Sequence, residues 1–187
     1  ALSYLDPSQV GALKVYAGIA PVSVGGDSIG GSIIAETAAP VFAAPGQGSL
    51  VKGEAGAFYR SNGHAWGANL SATYATESFS ISYTGATAQS GNYDAGGNFK
   101  ERLFGAGNNP YYTGRPGHTL SRDEVGSTAY ETRNHTLGVA LRGGNHLFEA
   151  KLGFQDMPEQ LWPNQRMDML ANDQKRLNLR YLGQFDW

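Results

Sequence analysis

The chain has no cysteine among its 187 residues, which excludes disulfide frameworks, zinc–thiolate sites and thiol nucleophiles from it. An excess of charge of one sign is also lacking, since the formal net charge is −2 and the pI is about 6.1. Proteins that bind nucleic acid usually carry a strongly basic face. Nucleic acid is therefore not an expected partner.

Long hydrophobic runs are missing too. The uncharged stretch at residues 15–26 has only about half of the roughly 20 apolar residues that a spanning helix needs, and Gly, Pro and Ser interrupt it. The first residues include neither an initiator Met nor the basic and apolar regions of a signal peptide. We expect no transmembrane helix, and a chain whose leader has been removed or that begins within a longer protein.

Glycine and aromatic residues are abundant instead. The 26 glycines are about twice the average share, and aromatic residues make up 11% of the chain. Up to residue 46, Gly and Pro break the apolar runs, which predicts short strands joined by glycine turns. From about residue 49, apolar and polar residues alternate. This change predicts two domains, at residues 1–46 and 47–187.

Period-two alternation predicts six strands in the second domain, because successive side chains of a strand point to opposite faces. These strands cover residues 50–60, 66–74, 79–84, 134–141, 147–154 and 177–187. The connections alternate in length. Residues 76–78 and 143–145 are tight turns, whereas about 90–127 and 157–173 are long and rich in Gly, Pro and Asn.

Barrels of the bacterial outer membrane have short turns at one end and long loops at the other, and their strands need about 10 residues to cross the bilayer. Aromatic side chains near the predicted strand ends suit the two membrane boundaries. A soluble, secreted β-sandwich that binds carbohydrate or a partner protein also shows such alternation. Loop asymmetry and strand length favour the barrel, and six strands predict a truncated one because they cannot close a wide barrel.

Residues 13–34 contain, in this order, a short apolar strand, a turn with Gly and Pro, a small-residue run with glycine, and Ile-Gly-Gly before β-branched residues. The residues that define the pattern are Gly18, Pro21, Gly25, Gly26, Ile29, Gly30 and Gly31. The pattern resembles the end of the plug domain of TonB-dependent outer-membrane receptors. The chain departs from it at Ala17, where many members carry Arg, and at Pro21, which comes two residues later than usual.

The resemblance implies an all-β fold in which the C-terminal part of a plug precedes a partial antiparallel transmembrane β-barrel. It also implies a place in the bacterial outer membrane and a role in the energised uptake of a scarce nutrient. Expected partners are outer-membrane lipid, the transported metal or chelate, and the energy-coupling protein TonB. TonB would act through a plug segment that is missing here. No resident cofactor is expected.

Residues 153–169 and 178–187 resemble the branch of this family that contains copper receptors, which makes copper or another metal species the favoured cargo. Met157, Met167 and Met169 fall in or beside one predicted external loop, and thioethers are soft ligands that suit Cu(I). The same methionines can instead pack as adaptable apolar side chains. An iron–siderophore chelate is the alternative cargo.

No catalytic pattern stands out in the sequence. A nucleophile with its base, paired carboxylates, a phosphate-binding glycine loop and a metal-binding helix are all missing, so the chain is not expected to be an enzyme. The histidines have no metal-ligand spacing and are expected to be solvated; they are His64, His118, His135 and His146.

Overall fold

The computed structural model describes residues 10–25, 30–100, 120–163 and 168–185. This part of the chain forms two antiparallel β-sheets, and its helical elements are a single turn of α-helix and one 3₁₀ turn. The predicted all-β, antiparallel class is confirmed. In the described ranges, no helix has the length and apolar character needed to cross a membrane.

The smaller sheet is a two-stranded unit of β1 (Ala12–Ala17) and β2 (Gly31–Glu36). Gly31 has φ +112°, and a Cβ there would lie 2.5 Å from the carbonyl oxygen of Tyr16, so this position requires glycine. Between the strands lies α1 (Val22–Gly25), where the sequence predicted only turns. Pro21 directly precedes this helical turn, and its carbonyl accepts the N–H of Val24 at 2.8 Å.

The larger sheet is a six-stranded meander in which each strand pairs only with its neighbours in sequence. Its strands are β3 (Ser49–Arg60), β4 (Ala65–Thr76), β5 (Phe79–Ser90), β6 (Tyr130–Gly143), β7 (His146–Gln160) and β8 (Asn172–Gly183). Several run beyond the predicted alternation. Backbone hydrogen bonds of the ladder continue through polar residues, so pairing outlasts the apolar stripe.

The connections of the meander fall at opposite ends of the sheet according to length. Residues 77–78 and 144–145 form two-residue turns at one end. Residues 61–64, 91–129 and 161–171 connect strands at the other end, and the first of these contains a 3₁₀ turn (Asn62–His64). We call these the short-turn end and the loop end, and their arrangement agrees with the alternation of connection lengths in the sequence.

The register of the sheet gives it one apolar and one polar face, since directly opposite residues point to the same side. The apolar face carries Val51, Tyr59, Trp66, Leu70, Tyr74, Ile81, Tyr83, Leu137, Val139, Leu141, Phe148, Leu152, Phe154, Leu177, Leu179 and Tyr181. The polar face carries Lys52, Glu54, Asn69, Ser71, Thr73, Ser80, Ser82, Thr84, Asn134, Thr136, Glu149, Lys151, Gln155, Arg176, Asn178 and Arg180.

The apolar face is open. Leu152, at the middle of β7, keeps 43% of its surface exposed, and Leu177 beside it keeps 64%. In the described part of the chain no large side chain is fully buried, and the buried apolar residues are mostly alanines. The large sheet therefore has no second layer of described residues packed on its apolar side.

Candidate functional site

The large apolar side chains of the apolar face form a band, here called the apolar band, that crosses the sheet obliquely. On β3 the band is centred on Ala55. The residues paired across the sheet with Ala55 form a row that ends at Lys175 on β8. The centre of the band on β8 is Leu179, four residues beyond Lys175. Four residues along a strand amount to about 14 Å, and five strand spacings to about 24 Å. The band therefore lies at about 30° to the rows, close to the roughly 35–45° tilt of strands in membrane barrels.

Charged side chains begin where the band ends, towards the loop end of β6, β7 and β8. On the apolar face, Arg133 pairs with Asp156 at 3.1 Å and also with Glu131. Asp173 lies opposite Asp156, so this row is charged on all three strands. The apolar face therefore changes from apolar to charged side chains at this level of the three strands.

The polar face is partly covered by the segment that joins the two sheets. We call residues 37–46 the strap. The Lys151 ammonium donates to Thr37 Oγ1 at 2.7 Å and to the carbonyl of Ala38 at 2.8 Å. The guanidinium of Arg142 lies over the ring of Phe42 at 4.4 Å. The strap thus follows the polar face towards the short-turn end.

Backbone hydrogen bonds fasten the rest of the strap. The N–H of Ala43, which is only 2% exposed, donates to the carbonyl of Thr76 at 3.0 Å. The N–H of Gly46 donates to the Glu77 carboxylate at 2.6 Å. These two bonds hold the strap against residues 76 and 77 at the short-turn end of the sheet.

A buried carboxylate organises the polar face beside the strap. Glu149 is 4% exposed, and its oxygens lie 3.6 Å from the Lys151 ammonium and 3.4 Å from the Arg180 guanidinium. A buried carboxylate needs such partners because its desolvation is costly. The carboxylate in turn holds Lys151 at the position from which it reaches the strap.

The loop end has an ordered base built on two asparagines. The Asn62 side chain donates to the carbonyl of Asp94 at 2.8 Å and accepts its N–H at 2.7 Å. Asn92 accepts the N–H of Thr128 at 2.9 Å and donates to the Glu124 carboxylate at 2.8 Å. Both stems of the long loop 91–129 are therefore fixed to each other and to the neighbouring loop.

Two exposed groups, the Asp123 carboxyl and the Lys14 ammonium, have a shifted pKa because of a hydrogen bond or an ion pair. The Ser121 hydroxyl donates to Asp123 at 2.6 Å, and this bond, followed by bonds from backbone N–H groups, lowers the pKa of the Asp123 carboxyl. On the small sheet, Lys14 donates to Glu36 at 2.6 Å, which raises the pKa of the Lys14 ammonium, first by the hydrogen bond and then by the opposite charge.

Two of the predicted methionine ligands, Met157 and Met169, lie near the loop end of β7. Met157 is on the polar face and 2% exposed. Met169 forms a backbone bridge with Gln160, with N–O distances of 2.9 and 3.0 Å. Met167 falls outside the described residues. Met169 thus lies opposite Gln160, which is three residues beyond Met157 on β7. The described ranges hold no cluster of three or more His, Asp or Glu suited to a metal.

Each described histidine is exposed, as the sequence predicted, and also contacts a tyrosine hydroxyl. The Tyr83 hydroxyl lies 2.8 Å from His135 Nδ1, and the Tyr181 hydroxyl lies 2.8 Å from His146 Nδ1. A weaker contact of 3.4 Å joins Tyr59 to His64. His118 lies outside the described residues.

The two close pairs share one construction. Tyr83 is followed two residues later by Gly85, which faces His135 on the next strand, and Tyr181 is followed by Gly183, which faces His146. Each tyrosine lies over its glycine, where a Cβ would collide with the hydroxyl. The spacing Tyr-x-Gly is visible in the sequence, but only the register identifies its histidine partner.

The described residues of the plug-like pattern lie around the small sheet. Gly18, with φ +80°, ends β1, Pro21 precedes α1 and Gly25 ends it. Gly30 directly precedes Gly31, the first residue of β2. Gly26 and Ile29 lie outside the described residues.

Comparison with protein-family models, with curated proteins and with solved structures finds no match to this chain.

Proposed function

We propose that this chain forms part of an outer-membrane transport receptor of the TonB-dependent class. In this proposal the six long strands are part of a transmembrane β-barrel wall, and the small sheet with the strap is the end of the plug. The observation that carries the proposal is the contrast between the two faces of one sheet. Its apolar face is bare, while its polar face holds the chain's own strap.

Lipid is the occupant that best fits the bare face. An exposed apolar patch of this extent is not expected of a soluble monomer, and the band's oblique course matches strands that are tilted in a membrane. A polar interior filled by a plug accounts for the buried Glu149 and its two cations on the other face. Both outer strands, β3 and β8, have one unpaired edge in the described sheet, and we propose that further strands complete the wall.

The second candidate is a soluble, secreted β-sandwich. It requires a second layer over the apolar face, and the described residues supply none. Fractionation of the full-length protein distinguishes the two. We expect it in the outer-membrane fraction, extracted only by detergent. Recovery in the soluble fraction without detergent would favour the sandwich.

For the cargo we propose copper or another metal species, with an iron chelate as the alternative. The proposal rests on the soft thioether ligands and on the position of Met169 at the loop end. The ordered base of loop 91–129 supplies a fixed mount for a ligand-binding loop. Uptake would be energised by TonB acting on the plug upstream of the small sheet, and no catalytic step is involved.

Titration of copper on the full-length receptor tests the cargo. Changing Met167 and Met169 together to Leu should weaken copper binding at least tenfold, whereas Met157→Leu should leave it unchanged because that side chain is buried. Equal affinity of the double variant and the parent would remove the methionines from the site. Retention of an iron chelate, with no copper binding in any variant, would favour the alternative cargo.

A further inference from the structure

The strap and the small sheet differ in how they are held. Within ten residues, the strap accepts hydrogen bonds from the Lys151 ammonium, lies with Phe42 under the Arg142 guanidinium, and donates two backbone N–H groups to residues 76 and 77. The apolar side chains of the small sheet remain open by contrast, with Ile33 49% exposed and Val15 64% exposed. Thr37, the first residue after the small sheet ends at Glu36, is held by a hydrogen bond from the large sheet.

Lys151 is the first fastening point downstream of the small sheet. It spans two acceptors on the strap, the Thr37 hydroxyl and the Ala38 carbonyl, while the Glu149 carboxylate holds it from the wall side. Hydrogen bonds from a charged group are roughly twice as strong as neutral ones. Because Glu149 is itself fixed by Arg180, the ammonium has a partner on the wall side that does not depend on the strap.

We propose that Lys151 is a positioning residue that anchors the strap to the wall, so that the movable part of the plug ends at Glu36. The inference rests on the proposed transport function and adds to it the point at which movement stops. A pull on the upstream chain displaces the small sheet, while residues 37–46 stay on the polar face. The strap thereby keeps the plug attached during each opening.

A cysteine reporter tests the anchor without any transport assay. The sequence has no cysteine, so Ala43→Cys places a single thiol in this part of the full-length protein, at a position that is 2% exposed. In detergent, Lys151→Met should raise its rate of maleimide labelling about tenfold or more, because the charged fastening is lost. Lys151→Arg should largely restore protection.

Lys52 provides the matched control. It lies in the same row of the polar face as Lys151, four strands away, and its ammonium has no partner among the described residues. Lys52→Met should leave the labelling rate of Cys at position 43 within twofold of the parent. A rate in Lys151→Met that equals the rate in Lys52→Met would overturn the anchor.

A second measurement locates the end of the movable part in energised cells. Labelling of Ile33→Cys should increase when the full-length receptor transports its cargo, and labelling of Ala43→Cys should not. Increases at both positions, or at neither, would contradict the proposed boundary. If the protein proves soluble, transport is refuted, and the detergent experiment still decides whether Lys151 holds the strap.

Discussion

Leu152 offers the sharpest test of the proposal that the apolar face meets lipid. It lies near the middle of the apolar band on β7, between Leu137 on β6 and Leu177 on β8. A lysine near the bilayer midplane of a barrel costs about 2–4 kcal/mol of folding free energy. Leu152 is 43% exposed to the surroundings of the sheet, so in water the same change would alter stability by only about 0.5 kcal/mol. Leu152→Lys therefore distinguishes lipid from water by a wide margin.

Two further substitutions calibrate the effect. Phe154→Lys lies one row nearer the charged end of the band and should cost about 0–1 kcal/mol for its depth, and the like charge of Lys175 opposite it adds about 0.2–1 kcal/mol. Ser71→Lys lies on the polar face opposite Glu54, where a cation gains an opposite charge and stability should change by less than about 1 kcal/mol. The expected order of destabilisation is Leu152→Lys first, Phe154→Lys second and Ser71→Lys last.

Denaturant unfolding of the full-length protein in lipid vesicles measures these differences. Tryptophan fluorescence reports unfolding, and the product of slope and midpoint shift gives each change in free energy. A Leu152→Lys variant that is no less stable than Ser71→Lys would refute the assignment of the apolar face to lipid. A large loss for Ser71→Lys alone would reverse the two faces.

Three other changes probe individual contacts. Tyr83→Phe removes the hydroxyl partner of His135 and should cost about 1 kcal/mol in the same unfolding assay, whereas an unchanged midpoint would show that the contact contributes nothing. Gly31→Ala should disrupt the small sheet, because the added Cβ meets a carbonyl oxygen at 2.5 Å, and faster proteolysis there would reveal it. Ser121→Ala should raise the pKa of Asp123, because the hydroxyl that donates to the carboxylate is removed. The lowered pKa stabilises the loop base above about pH 3.8, and this stabilisation is lost as the pH falls through the pKa of Asp123 in the folded protein. A carboxyl titration by NMR that shows no rise would contradict the assignment.

The strands were predictable because their information is local. Alternation at residues 66–74 requires only that neighbouring side chains point to opposite faces, and β4 lies there. The ends were less predictable. In β5, residues 85–90 are small or polar and carry no apolar stripe, yet they pair with β6 through the backbone.

The contacts that define the candidate sites depend on register and distant chain segments. His135 is exposed as expected, but no local pattern shows that it faces Gly85 and meets Tyr83. The bond from Lys151 to Ala38 joins residues 113 positions apart, and a lysine within an alternating strand looks like any other polar-face residue. Neither contact leaves a periodic signal in the sequence.

The meander order has a consequence for how such a protein changes over time. Since every long strand bonds only to the strands before and after it in the chain, most pairings form between nearby segments and make modest demands on loop-closure entropy. A whole hairpin could be gained or lost without rerouting the remaining chain. Connections at the loop end can lengthen without changing the paired strands, so the loops and the sheet can evolve separately.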